Sequence, residues 1–378
     1  MKVGILTLPL HTNYGGILQA YALQTILQKL GFEVIVFDQD RDLHINPLLL
    51  ALSWANNSIK HLMGKNAIFY NPSKDNRERR EREQYTRQFV QRNINTYRIV
   101  HLEKDVPKDI DAIVVGSDQV WRCHYFTKIY KCGIENAFLA FADTWLIKRI
   151  AYAASFGTDE WEYDNSQTEK CARLLKQFDS VSVREISAMR IIKERLGFDD
   201  VRHVLDPTLL LKKSDYIQLF DMAKVGKSAG NLFYHFLDYS YEKESLVHEI
   251  SEEKGMQSFC VNSRVNDSEA PQIERIQPSV EQWIRGFYDA EFVVTDSFHA
   301  CVFSIIFGKP FVVIGNKKRG MARFETLLSL LSLERNLIFR NEDYDAKYSY
   351  AIPNETAEVL NTLRENSISF LNNALSAK

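Results

Sequence analysis

Along this chain, short apolar runs suited to buried strands alternate with stretches whose apolar residues recur every three to four positions, as helices with one buried face require. Val3–Leu8 is the first such run. Gly15 and Gly16 then open a helix through about Leu30, with Ile17, Ala20, Leu23, Leu27 and Leu30 on one face, and Gly31 ends it before a second strand at Glu33–Phe37. Helices follow at Pro47–Met63 and Arg77–Gln91, the latter mixing both charges as a solvated face does. Strands return at Ala112–Val115, Ile150–Ala154, Ser180–Val183 and Arg202–Leu205, alternating with helices at Gln167–Phe178 and Glu185–Leu196.

The second half repeats the rhythm. Strands are expected at Leu232–Phe236, Ser258–Val261, Phe292–Thr295 and Phe311–Ile314. Helices are expected at Glu242–Lys254, Ser279–Tyr288, Ser297–Phe307 and Met321–Leu331, and a last one at Asn354–Leu375. Such alternation implies mostly parallel sheets covered on both faces. The expected fold class is therefore α/β, with two Rossmann-like doubly wound domains facing a cleft. The divisions are 1–211 for the first domain, a polar linker at 212–230, 231–350 for the second, and a tail at 351–378 able to cross back to the first. Ligands of doubly wound sheets bind outside the carboxyl ends of strands, so polar residues directly after strands carry most weight.

Composition narrows the function classes. Hydrophobic residues are 45% and charged residues 25% of 378, which excludes a disordered or collagen-like chain. Lys and Arg number 47 against 49 Asp and Glu, a formal net charge of −2, so no nucleic-acid partner is expected. A local basic pocket for a small anion stays open. Five cysteines without CxxC spacing fit a reducing, cytoplasmic compartment better than disulfides or a zinc site. The first residues are too short, and lack a small-residue cleavage site, to read as a signal peptide. Leu43–Ile59 is interrupted by Asn46, Pro47, Asn56 and Asn57 and is too short to span a bilayer. Its Leu48–Trp54 segment reads by preference as a buried helix, with peripheral contact with a membrane surface as the alternative.

Four constellations could carry chemistry. In Thr295-Asp296-Ser297-Phe298-His299-Ala300 the histidine falls in the first turn of an apolar helix directly after a strand. Free N–H groups and the helix dipole favour an anion there, and an imidazole at that place suits acid–base work. A core histidine satisfied by a hydrogen bond is the alternative. Asn316-Lys317-Lys318-Arg319-Gly320, with Arg323 beyond, sets four cations without an acid after the next strand, to close over a phosphate or to stand as a solvated loop. Ser182-Val183-Arg184-Glu185 offers Arg184 as a bidentate grip on a carboxylate across the cleft, or as an exposed side chain beside a helix-start Glu185. Asn13-Tyr14-Gly15-Gly16 lets backbone approach a ligand, though it is neither GxGxxG nor a P-loop, and Gly116-Ser117-Asp118-Gln119 repeats that logic with Asp118 as a base or hydroxyl-orienting group. With no HExxH, no GxSxG and no paired histidines at helical spacing, zinc and serine hydrolysis find no support and no metal is expected.

The segments NYGGILQAYALQ, VVGSDQVW, SVREISA, LDPTLLL and TDSFHACVFSIIFGKPFVVIG, taken in order over about residues 3–331, resemble the polysaccharide pyruvyl transferase family. The resemblance implies a fold like the GT-B glycosyltransferases. It implies phosphoenolpyruvate as donor substrate, no separate cofactor, and a sugar hydroxyl pair of a polysaccharide or lipid-linked oligosaccharide as acceptor, in making a cell-surface glycan. It places the family's functional histidine on His299, its donor-binding arginine on Arg184, and a lysine on Lys317 or Lys318. Ser297, Phe298, Asn13, Gly15, Gly16, Ser117 and Asp118 complete the candidate substrate-binding set. A sugar-nucleotide glycosyltransferase and a non-catalytic anion- or glycan-binding protein are the competing readings.

Overall fold

The computed structural model describes residues 1–43, 45–63, 71–316 and 320–376. The first half runs β1 (Lys2–Leu6), α1 (Tyr14–Lys29), β2 (Glu33–Gln39), α2 (Pro47–Leu62), α3 (Pro72–Asn93), β3 (Thr96–Ile99), α4 (Leu102–Asp105), β4 (Ala112–Val115), α5 (Cys123–Tyr130), β5 (Lys148–Ala154), α6 (Asn165–Leu175), β6 (Ser180–Val183), α7 (Ile186–Ile191) and β7 (Val201–His203). The second runs α8 (Lys213–Met222), β8 (Leu232–His235), α9 (Tyr241–Lys254), β9 (Ser258–Phe259), α10 (Val280–Asp289), β10 (Phe292–Thr295), α11 (Phe298–Phe307), β11 (Phe311–Ile314), α12 (Ala322–Leu330), β12 (Leu337–Ile338) and α13 (Glu355–Ser376).

Both sheets are parallel throughout the described pairings. The first has seven strands in the order β3-β2-β1-β4-β5-β6-β7, and the second five in the order β12-β11-β10-β8-β9. Strand order reverses between β1 and β4 in one and between β8 and β10 in the other, so each half has a switch point where a crevice opens at the carboxyl edge. The fold is thus two Rossmann-like doubly wound units in a GT-B-like arrangement. The turn Asn13–Gly16 and Ser117–Asp118 sit at the first switch point, and Ser297–His299 at the second.

The halves are packed, not merely opposed. One apolar cluster joins Tyr14, Ile17 and Leu18 of α1 to Trp283, Phe298 and Phe303 of the second half, and also takes in Leu209, Tyr216 and Leu371. The last of these belongs to α13, which lies against the first half: Arg364 Nε donates to Leu209 O, and Leu205 N donates to Ser367 Oγ.

Several segments differ from the sequence reading. Within the polar 212–230 stretch Tyr216, Leu219 and Phe220 fall on one face of α8 and are buried, so average polarity hid an apolar stripe. The charged α3 is not a wholly solvated face. Glu83, Thr86 and Val90 repeat at helical spacing and are buried, Arg87 pairs with Asp38 at 2.7 Å, and Arg92 reaches Glu281 of the second half at 2.9 Å. The edge strand β3 escaped the pattern because Tyr97 and Arg98 are exposed. Finally, no residue of α2 is fully buried, and Leu48, Leu49, Leu52, Ile59 and Leu62 face solvent.

Candidate active site

Each strand of the first sheet delivers its next residues to one edge. After β1 the chain reaches Asn13, whose Oδ1 accepts from Gly16 N at 3.2 Å and caps α1. Gly15 comes so close to the second half that a Cβ there would lie 2.0 Å from His299 Nδ1. Tyr14 fastens the same turn: its hydroxyl donates to Pro278 O at 2.9 Å and its ring stacks on Trp283 at 5.2 Å. The turn is therefore a seam between halves.

After β4, Ser117 is buried, its N–H donating to Gln19 Oε1 at 3.1 Å and its hydroxyl to Ala153 O at 3.2 Å. That role is to hold the turn. Asp118, at φ 68°, turns its Oδ1 to Arg184 Nη2 at 2.9 Å. Arg184 also donates from Nη1 to Asp206 Oδ2 at 2.8 Å, and its side chain is 1% exposed. The expected grip across the cleft is thus occupied by two carboxylates of Arg184's own half. Burial would lower the Arg184 proton affinity, but Asp118, Asp206 and Glu185 outweigh it and raise it.

Those carboxylates are held charged. For Asp118, burial raises the proton affinity, yet Arg184, His299 and Arg323 together bring it below the ordinary value. For Asp206, burial is again the largest single effect, but His299, Arg184 and the Thr208 hydroxyl drive it far below the carboxylate range. A carboxylate so stabilised is a poor proton acceptor at neutral pH. Glu185 differs: burial raises its proton affinity despite Arg184, and its Oε1 accepts from Phe156 N at 3.2 Å.

The second half contributes α11. Asp296 closes the end of β8 by accepting from Leu237 N at 2.6 Å and Asp238 N at 3.1 Å and pairing with Lys243. Ser297 caps the helix through Ala300 N at 3.4 Å. The Phe298 ring lies under two guanidinium groups, Arg184 at 5.1 Å and Arg323 at 5.4 Å, so it packs between cations as well as apolar neighbours. Burial, then Arg184, push the Arg323 proton affinity down to about 10. His299 is buried, with Nε2 3.7 Å from Asp206 Oδ2, too far for a hydrogen bond. That nitrogen finds no hydrogen-bond partner among the described residues. A small cavity lined by Arg184, Asp206, Leu209, Phe298, Thr326 and Leu327 adjoins the pair.

The structure thus gathers Asn13, Gly15, Gly16, Ser117, Asp118, Arg184, Ser297, Phe298 and His299 at facing switch points. Lys317, Lys318 and Arg319 lie outside the described residues. Gly320, just beyond them, meets the first half, where a Cβ would come 2.0 Å from Gly157 O. Sequence reasoning missed Asp206, taking Asp206-Pro207 only as the end of a strand run, although an acid directly after a strand was the signal applied elsewhere.

Residues 13–318 match the family described as Polysaccharide pyruvyl transferase. No curated protein matches the chain. Among solved structures, the UDP-GlcNAc 2-epimerase of Neisseria meningitidis bound to UDP-GlcNAc is similar over 100% of both chains, at 9% identity and a TM-score of 0.52. Arabidopsis thaliana UGT89C1 complexed with UDP-L-rhamnose is similar over 97% of this chain and 94% of that one, at 12% identity and a TM-score of 0.48. At such identities the likeness concerns the fold alone. With the family match covering most of its length, the chain belongs to the polysaccharide pyruvyl transferase family.

Proposed function

We propose that this protein moves the pyruvyl group of phosphoenolpyruvate onto a pair of sugar hydroxyls in a polysaccharide or lipid-linked oligosaccharide precursor, forming a cyclic ketal and releasing phosphate. The observation that carries this reading is His299: a buried imidazole in the first turn of α11, its Nε2 facing the cleft cluster beside Asp206 and unbonded among the described residues. The reaction needs one proton delivered to the enol CH2 carbon and one removed from each of two attacking hydroxyls. One of the hydroxyl protons balances the new methyl group and the other leaves with phosphate. An imidazole that both takes and gives protons suits that exchange.

The surrounding charges suit the developing cation at the pyruvyl carbon. Asp206 and Asp118 stay ionised, which favours positive charge developing in the cleft, while the α11 N-terminus supplies positive charge for phosphate and carboxylate, to which the family resemblance adds Lys317 or Lys318. Gly15 shields His299 on one side and Asp206 on the other, so the halves part to admit donor. That opening breaks the bond from Tyr14 to Pro278 and the bond from Ile186 N to Thr326 Oγ1 at 3.3 Å.

The deciding experiment screens phosphate release from phosphoenolpyruvate against glycosides and lipid-linked sugars, alongside thermal shifts with phosphoenolpyruvate and with sugar nucleotides. Acceptor-dependent phosphate release supports the reading. Stabilisation by sugar nucleotides alone, with no phosphate released, overturns it.

A further inference from the structure

Amphipathic helices normally turn their apolar face toward the protein. Helix α2 does the reverse. Leu50 and Asn57, seven residues apart, are its half-buried positions. Leu48, Leu52, Ala55, Ile59 and Leu62, at intervals of four, three, four and three, form a stripe on the opposite side. Leu48 is 74% exposed, Leu52 66%, Ile59 58% and Leu62 86%, with Leu49 and Met63 exposed beside them. A contiguous outward stripe of this size, on a helix of which no residue is buried, marks a surface that something covers.

Charge identifies the cover. From Leu43 to Met63 the sequence has no Asp or Glu, and Lys60 supplies a cation at the end of the helix, in a chain of net −2. The same segment of a second copy would offer Lys60 no negative charge. An anionic bilayer accepts both the apolar stripe and the lysine. Position adds a third argument: α2 follows the carboxyl end of β2, and Asp118, Arg184 and Asp206 follow the same edge of that sheet.

We infer that α2 lies in the interfacial region of an anionic membrane and sets the carboxyl edge of the first sheet, and so the cleft, against the lipid surface. An acceptor carried on lipid would be met there; this last clause rests on the function proposed above, whereas the membrane contact does not.

The test is co-sedimentation of the full chain with vesicles of mixed phosphatidylglycerol and phosphatidylcholine, and with phosphatidylcholine alone, with light scattering to give the oligomeric state. Binding should favour the anionic vesicles, weaken as salt rises, and fall at least ~10-fold in Leu52→Glu/Ile59→Glu, whose melting should match the parent because both sites are exposed. Lack of binding by the parent, undiminished binding by the variant, or a dimer that the variant splits would each overturn the inference. No donor or acceptor is needed for this measurement, so failure of the turnover assay leaves it standing, and the converse holds.

Discussion

Nε2 of His299, on the second half, stands 3.7 Å from Oδ2 of Asp206, on the first, and the same carboxylate oxygen accepts from Arg184 at 2.8 Å. One aspartate thus links the candidate acid–base group to the buried arginine, across the boundary between the halves.

His299→Ala should lower acceptor-dependent phosphate release by ~10²-fold or more, the usual worth of a positioned proton donor or acceptor, with little change in melting temperature. Asp206→Asn should lower it as well, since the amide cannot carry the balancing charge. Steady-state rates on the folded variants check both. Retention of most activity in His299→Ala would end its assignment.

Gly15→Ala should be far more harmful than Gly16→Ala. At Gly15 the new methyl would fall 2.0 Å from His299 Nδ1, whereas at Gly16 the nearest atom is Asn13 Nδ2 at 3.3 Å. The first must push His299 or the whole α11 turn away from Asp206. Activity of the two variants, measured at matched stability, separates displacement of the site from a general helix effect.

Arg184→Ala should cost stability first and donor affinity second. Its removal leaves Asp118 and Asp206 buried without their shared cation, a type of loss worth about 3–5 kcal/mol. Denaturant unfolding reads this directly. A variant as stable as the parent would mean that the arginine is not held by these carboxylates in solution.

Acidification should weaken the fold through His235. This buried imidazole accepts from Trp283 Nε1 at 3.3 Å through Nδ1, and burial lowers its proton affinity from 6.5 to about 4. A group whose affinity is depressed on folding contributes stability that is fully present above the unfolded value and lost as pH falls toward the folded one. The window is therefore pH 6.5 to about 4, with a loss of about 2 kcal/mol between pH 7 and pH 5 from this group. His235→Gln, which keeps an acceptor for Trp283, should flatten that part of the pH–stability curve.

The rhythm of apolar residues was enough to establish the α/β class, most strands and helices, and the strand ends where polar side chains gather. Ala112–Val115, Ser180–Val183, Phe292–Thr295 and Phe311–Ile314 are strands with the bounds read from sequence, and all but the alternating Ser180–Val183 are the short apolar runs expected of a strand buried on both faces. Local sequence also pointed to His299 and Arg184, since a polar residue directly after such a run must lie at the sheet edge. It did not say what each would touch. Whether Arg184 faces a ligand or two carboxylates of its own half depends on Asp118 and Asp206, 66 and 22 residues away along the chain. Whether α2 faces inward depends likewise on packing: Leu48, Leu52 and Ile59 have the spacing of a core helix, and only the placement of α2 against its neighbours turned that stripe outward. Periodicity is a property of the nearest residues along the chain, and it settles secondary structure. Ion pairing, burial and the meeting of the two switch points join distant segments, so tertiary packing alone decided them.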